Sequence, residues 1–281
     1  MSLINKQHAK IKAKEAGHEA KPWVRSFARF GFFAKGTVYI LIGILSFMAA
    51  LGVGGKTTGS KGAFASVASQ PFGEIILWIV AIGLLGYVFW RVFQVINDPY
   101  YNKTNTKRIV IRTGFAISAG IYGFLIYKAV SIAMHADNGG GSSQTSTAKL
   151  LSQPFGPSII MLVGIGIIIF AISEIIKALQ SKFKKHLMVN EMNHREKQWF
   201  TVFGKTGLIA RGLVFCIIGS FLIQNALTSN PDQTVGLDRA LSEIAQQPFG
   251  QWMLGITAIG LFLYGVFLFF KGKYAKISLS S

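Results

Sequence analysis

The sequence predicts an all-α, polytopic membrane helix bundle: six transmembrane helices, arranged as three parallel two-helix repeats about a pseudo-threefold axis. Three observations predict it. Apolar runs recur six times, each near the length of about 20 residues that crosses a hydrocarbon core. The tetrapeptide Gln-Pro-Phe-Gly occurs at Gln70–Gly73, Gln153–Gly156 and Gln247–Gly250, each time just ahead of an apolar run. Hydrophobic residues make up 51% of the 281 residues and charged residues 14%, a surplus that belongs in lipid rather than in one soluble core.

The elements follow in order. Residues 1–22 form a basic tail ending at Pro22. Trp23–Lys35 is an interfacial lead-in with a Trp anchor, and Gly36–Gly55 is the uncharged first span. Ala63–Ser69 reads as a short interfacial helix behind a Gly-rich loop. Ile75–Ile96 is the second span, with Arg91 placed to snorkel near its far end. Ile109–Met134 is the third and Phe155–Leu179 the fourth, where Glu174 and Lys177 share a helix face. A basic loop, 181–202, precedes the fifth span, Thr206–Leu227. Leu237–Ala245 is an amphipathic segment, and Phe249–Phe270 is the sixth span before a tail at 275–281. The repeats are thus 23–98, 107–180 and 203–274.

Six spans put both termini on one side. Outside the spans that side carries 18 Lys and Arg, and the other carries 4. The positive-inside rule makes the richer side cytoplasmic and accounts for most of the +18 net charge. No nucleic-acid partner is expected, because no reader motif accompanies the charge. The single cysteine, Cys216, excludes a disulfide framework.

Aligning the three tetrapeptides aligns much more. Twelve residues after each Pro comes Gly83, Gly166 or Gly260; four further on comes Tyr87, Phe170 or Tyr264. In the first helices Gly31, Gly114 and Gly207 correspond, each two residues after Arg29, Arg112 or Lys205. Eight residues later come Tyr39, Tyr122 and Phe215. A two-span unit crosses twice, so tandem copies keep one orientation. The structural residues that define the repeat are Pro71, Phe72, Gly73, Pro154, Phe155, Gly156, Pro248, Phe249 and Gly250. Pro is expected in the first helical turn, Phe as an interfacial anchor, and Gly where a neighbouring backbone comes close. Small residues within the spans, Ala116 with Gly120, Ala119 with Gly123, and Gly255, Gly260 and Gly265, are expected to mediate close helix crossings.

Catalytic chemistry is not in evidence. There is no His-Glu-x-x-His, no Gly-x-Ser-x-Gly and no phosphate-binding loop. The five histidines lie in tails, loops or span ends, and the midplane offers Ser46, Ser220 and Thr257 but no carboxylate. The expectation is therefore no enzyme, no cofactor and no metal. The intramembrane charges are the functional candidates. Arg29, Lys35, Arg91, Arg112, Lys205 and Arg211 all fall toward the cytoplasmic ends of their spans. They form a candidate basic vestibule for an anionic lipid headgroup or solute. Lys128 falls near the opposite interface.

The repeated unit, with its basic-x-Gly helix, Gly-rich loop, Pro-Phe-Gly, Ile-Gly and later aromatic, resembles the domain-of-unknown-function 1206 family. The resemblance covers roughly residues 25–274. It implies three tandem two-helix units and a bacterial inner-membrane location, and it transfers no active site. The second copy departs from the pattern: Ser118 stands where Lys35 and Arg211 stand, and Glu174 stands where Arg91 stands. Mitochondrial carriers share the three-repeat plan, but their Pro-x-acidic-x-x-basic signature follows no first helix here.

The functional expectation is a non-enzymatic integral membrane protein of structural, lipid-binding or partner-binding type. Its partners are membrane lipids with anionic headgroups on the cytoplasmic side, and a further membrane protein. The alternative is a transporter or channel for a small or anionic solute through a pseudo-threefold cavity.

Overall fold

A computed structural model describes residues 22–53, 59–97, 105–135, 155–181, 183–184, 192–228 and 237–274. The tail up to residue 21, Gln153, Pro154, residues 182 and 185–191 of the 181–202 loop, and residues 275–281 lie outside the described residues. Among those described there are eight helices and no strand. They are α1 (Pro22–Ala50), α2 (Ser60–Ala68), α3 (Gly73–Asn97), α4 (Asn105–Ala133), α5 (Gly156–Leu179), α6 (His194–Thr228), α7 (Leu237–Gln246) and α8 (Gly250–Tyr274). All but α2 and α7 are long and apolar enough to cross a membrane. The chain is a multi-pass integral membrane protein.

Helix ends follow local chemistry. Pro22 opens α1, where its missing N–H costs no hydrogen bond. At the other end Gly52 takes a left-handed φ of 68°. That lets Gly52 and Val53 donate back to the carbonyls of Ala49 and Met48, both at 3.2 Å, which closes the helix.

In its first and third copies the Gln-Pro-Phe-Gly motif is a turn rather than a first helical turn. Gly73 donates to the Gln70 carbonyl at 2.9 Å, and Gly250 donates to that of Gln247 at 2.7 Å. Pro occupies the second position of each turn. Phe72 and Phe249, at the third, have φ of 61° and 60°, the left-handed value of a type II turn. Their carbonyls accept the first helical bonds, from Ile76 and Met253. Pro71 and Pro248 therefore lie two residues before their helices, contrary to expectation. Phe155 differs, with φ −107°. All three Phe rings are exposed, as interfacial anchors are. A Cβ on Gly73 or Gly250 would run into the carbonyls of Val67 or Ala245. These glycines thus let the starts of α3 and α8 press onto α2 and α7.

The long helices pack in a cyclic order. The first helix of each repeat packs on the second helix of the repeat before it: α4 on α3, α6 on α5, and α1 closing back onto α8. The closing contact is tight, because a Cβ on Gly36 would lie 2.9 Å from the Gly265 carbonyl. Inside repeat 1, α1 also packs on α3, and inside repeat 3, α6 packs on α8. Inside repeat 2, α4 and α5 make no comparable interface among the described residues.

Glycines explain both the closed seams and the open one. Gly31 faces the backbone of Tyr87, and Gly207 faces that of Tyr264. Gly83 meets the methyl of Ala34, and Gly260 that of Ala210. In repeat 2 the corresponding Gly114 and Gly166 face open space. The residue matching Ala34 and Ala210 is Ile117, three after Gly114. A β-branched side chain there is too large for the space that glycine and alanine share elsewhere, so the seam stays apart. The expected crossing role of Gly120 and Gly123 also fails, since nothing lies within 4 Å of a Cβ at either. Gly260 and Gly265 do mediate crossings, as expected.

Candidate functional site

Three of the six expected basic residues come together. Lys35 lies on α1 and is buried. Its ammonium donates to the Tyr87 hydroxyl at 3.3 Å and stands 4.8 and 4.5 Å from the ring centroids of Tyr87 and Tyr122. Arg91, on α3, donates to the same hydroxyl from Nε at 2.9 Å and from Nη2 at 2.6 Å, and to Gln94 at 3.0 Å. Arg211, on α6, pairs with Glu174 of α5 at 2.7 Å. Lys35 is electrostatically coupled to Arg211, Arg91 and Lys271 as like charges, and to Glu174 as the opposite one. Five of the six spans thus contribute a charge, and α4 contributes the Tyr122 ring.

The balance is uneven. Glu174 is the carboxylate that acts on Lys35, Lys271 and Arg211. Among the described residues Lys35 has no carboxylate within salt-bridge distance. Three N–H donors on two cations converge on the Tyr87 oxygen, which has two lone pairs. The Arg211 Nε is buried with no hydrogen-bond partner. Buried cations in a membrane interior are costly, on the order of 3 kcal/mol each on insertion scales, unless paired. The cluster therefore presents more donors and more positive charge than its own acceptors satisfy.

Aromatic rings fill the space around these charges. Tyr39 and Tyr264 meet edge to face at 4.7 Å, and so do Tyr87 and Tyr122. Arg211 lies 4.6 Å from the Phe215 centroid, 5.1 Å from Tyr264 and 5.7 Å from Phe170. These are the aromatic positions that mark the repeat, so the repeat itself builds the site. Its depth follows from helix geometry. Lys35 precedes the end of α1 by 15 residues and Arg91 follows the start of α3 by 18, about 22 and 27 Å from the Gln-Pro-Phe-Gly ends. The cluster sits toward the opposite membrane surface.

The other expected residues fall outside it. Arg29, Arg112 and Lys205 lie six residues before Lys35, Ser118 and Arg211 on their helices. They are half-buried, and the largest like-charge effects on Lys35 come from Arg211, Arg91 and Lys271. Lys128 is buried beside the Phe124 and Tyr127 rings. Glu174 reaches Lys177 at 3.9 Å, as expected, but its shorter bond is to Arg211. Sequence reasoning missed Lys271 and read the tyrosines as repeat markers only. Their coincidence with the basic positions was the available signal. No group of three or more metal-ligating side chains occurs among the described residues.

Comparisons with known proteins agree with this architecture. A family profile, Domain of Unknown Function (DUF1206), matches residues 30–98, 113–180 and 206–275. The chain is 39% identical over 281 residues to the "Uncharacterized protein YxxB" of Bacillus subtilis (strain 168), covering 99% of both chains. No solved structure matches it. With three tandem matches and a full-length relative, the chain belongs to the DUF1206 family.

Proposed function

We propose that this protein is a non-enzymatic component of the bacterial inner membrane that binds an anionic headgroup at the cationic cluster, with both termini cytoplasmic. The observation that carries this reading is Lys35: buried, with no carboxylate within salt-bridge distance among the described residues, and electrostatically coupled to the like charges of Arg211, Arg91 and Lys271. A phosphate offers several charged oxygens to the donors that now crowd the Tyr87 hydroxyl. The chemistry is common to a lipid phosphate and a free anion. The cluster's depth, toward the basic side of the membrane, suits a headgroup of the cytoplasmic leaflet. The relative in Bacillus subtilis and the lysine-rich loops support the location and orientation.

Binding is favoured over conduction because the tyrosine pairs Tyr39–Tyr264 and Tyr87–Tyr122 pack edge to face beside the cations. The test is thermal unfolding of purified protein in detergent with added phosphatidylglycerol or phosphatidylcholine. Saturating anionic lipid stabilises by about 2.7 kcal/mol at a hundredfold excess over Kd. The zwitterionic lipid gives less, and Lys35→Met removes the difference. Equal stabilisation by both lipids contradicts the reading.

A further inference from the structure

We infer that the open seam between α4 and α5 is a lateral slot for a phospholipid, whose acyl chain lies in the seam and whose phosphate reaches the cationic cluster. The inference rests on the anion-binding reading and adds the ligand class and its route. Repeat symmetry provides an internal control. Val38 and Val214 are 3% and 1% exposed, while their counterpart Ile121 is 56% exposed. Tyr87 and Tyr264 are 1% and 4% exposed, while Phe170 is 42% exposed. Positions that close the seam in repeats 1 and 3 thus line an open apolar surface in repeat 2.

The seam is continuous with the charges. Ile121 precedes Tyr122, whose ring faces the Lys35 ammonium at 4.5 Å. Phe170 lies 5.7 Å from the Arg211 guanidinium, and Glu174 follows one turn later on α5. At the level where repeats 1 and 3 place Lys35 and Arg211, repeat 2 places Ser118, a small side chain at the opening. An apolar wall leading to unsatisfied cations complements an amphiphile with an anionic head. It does not complement a purely apolar partner helix, which would leave the cluster uncompensated. The alternative occupants are an acidic membrane helix of another protein, a second copy of this chain, and a free anion reaching the cluster without the seam.

The experiment uses full-length protein reconstituted with phosphatidylglycerol carrying a photoactivatable acyl chain, with adducts mapped by mass spectrometry. Crosslinks should concentrate on residues 114–121 and 163–170. Gly114→Leu with Gly166→Leu, or Gly166→Leu alone, fills space with no neighbouring atoms and should reduce those crosslinks about tenfold. Helical circular dichroism and a single gel-filtration peak confirm folding of each variant. Crosslinks spread evenly over the lipid-facing helices, or unchanged by the filling variants, overturn the slot. If Lys35-dependent stabilisation by phosphatidylglycerol survives that outcome, the anion-binding reading stands without it; if it is also lost, both fail. Stabilisation by soluble glycerol phosphate that phosphatidylglycerol does not compete with overturns the slot, as does a second protein chain crosslinked at these residues.

Discussion

Gly83 packs against the methyl of Ala34, and its counterpart Gly166 packs against nothing. At the level of the glycine the two differ by Ile117 in place of Ala34 and Ala210, a larger side chain at the crossing. Overpacking a close crossing costs about 1–3 kcal/mol. Ala34→Ile and Ala210→Ile should lower the unfolding free energy by that amount, whereas Ile117→Ala should stay within about 1 kcal/mol of the parent. Thermal unfolding of the three variants in one detergent checks this; equal losses would mean that the seams are equivalent.

The same asymmetry extends to glycine. Gly31→Leu and Gly207→Leu put side chains into the backbones of Tyr87 and Tyr264. Each should cost about 3 kcal/mol or fail to yield folded protein. Gly114→Leu meets open space and should change stability by less than about 0.5 kcal/mol. Yield and unfolding temperature distinguish them.

Glu174 compensates Arg211 at 2.7 Å with both side chains largely buried. Removing it leaves a cation uncompensated, at a cost of about 3 kcal/mol. Glu174→Gln should therefore lower the unfolding temperature in lipid-free detergent while raising the affinity for phosphatidylglycerol. Opposite signs in the two measurements are the expected result. A loss of both assigns Glu174 a purely structural role.

Phe72 has a left-handed backbone that costs a non-glycine residue on the order of 1 kcal/mol, and Phe155 does not. Phe72→Gly should gain about that much stability in detergent, where the interfacial anchor matters least. Phe155→Gly should lose about 0.5–1 kcal/mol through the unfolded chain's added freedom. Equal effects would argue against the turn geometry.

Orientation can be read by labelling. In a Cys216→Ser background, Phe249→Cys should react with a membrane-impermeant maleimide in cells whose inner membrane is intact. His194→Cys should react only after lysis. The reverse pattern would invert the topology.

Much of the fold was legible because lipid crossing imposes length and apolarity directly on the sequence. The six spans, the short helices α2 and α7, and the repeat all follow from those constraints. Pro71 was placed inside the helix because proline suits both a first helical turn and the second position of a type II turn. The left-handed φ of Phe72 carries no sequence mark. Lys35, Arg91 and Arg211 were identifiable as intramembrane charges, but their meeting was not. Helical phase separates Arg29 from Lys35 by almost two turns, and only packing decides which of them faces Tyr87. Lys271 was lost among the tail lysines. Ile117 gave no signal until the alanines aligned with it were seen pressed against glycine.

The central claim is that the cluster holds an anionic headgroup. Native mass spectrometry of protein extracted from membranes in mild detergent tests it most directly. The parent should retain an anionic phospholipid, and Lys35→Met with Arg91→Met should lose it while keeping its fold. An unliganded parent, or a double variant that retains the same anionic lipid, would contradict the account.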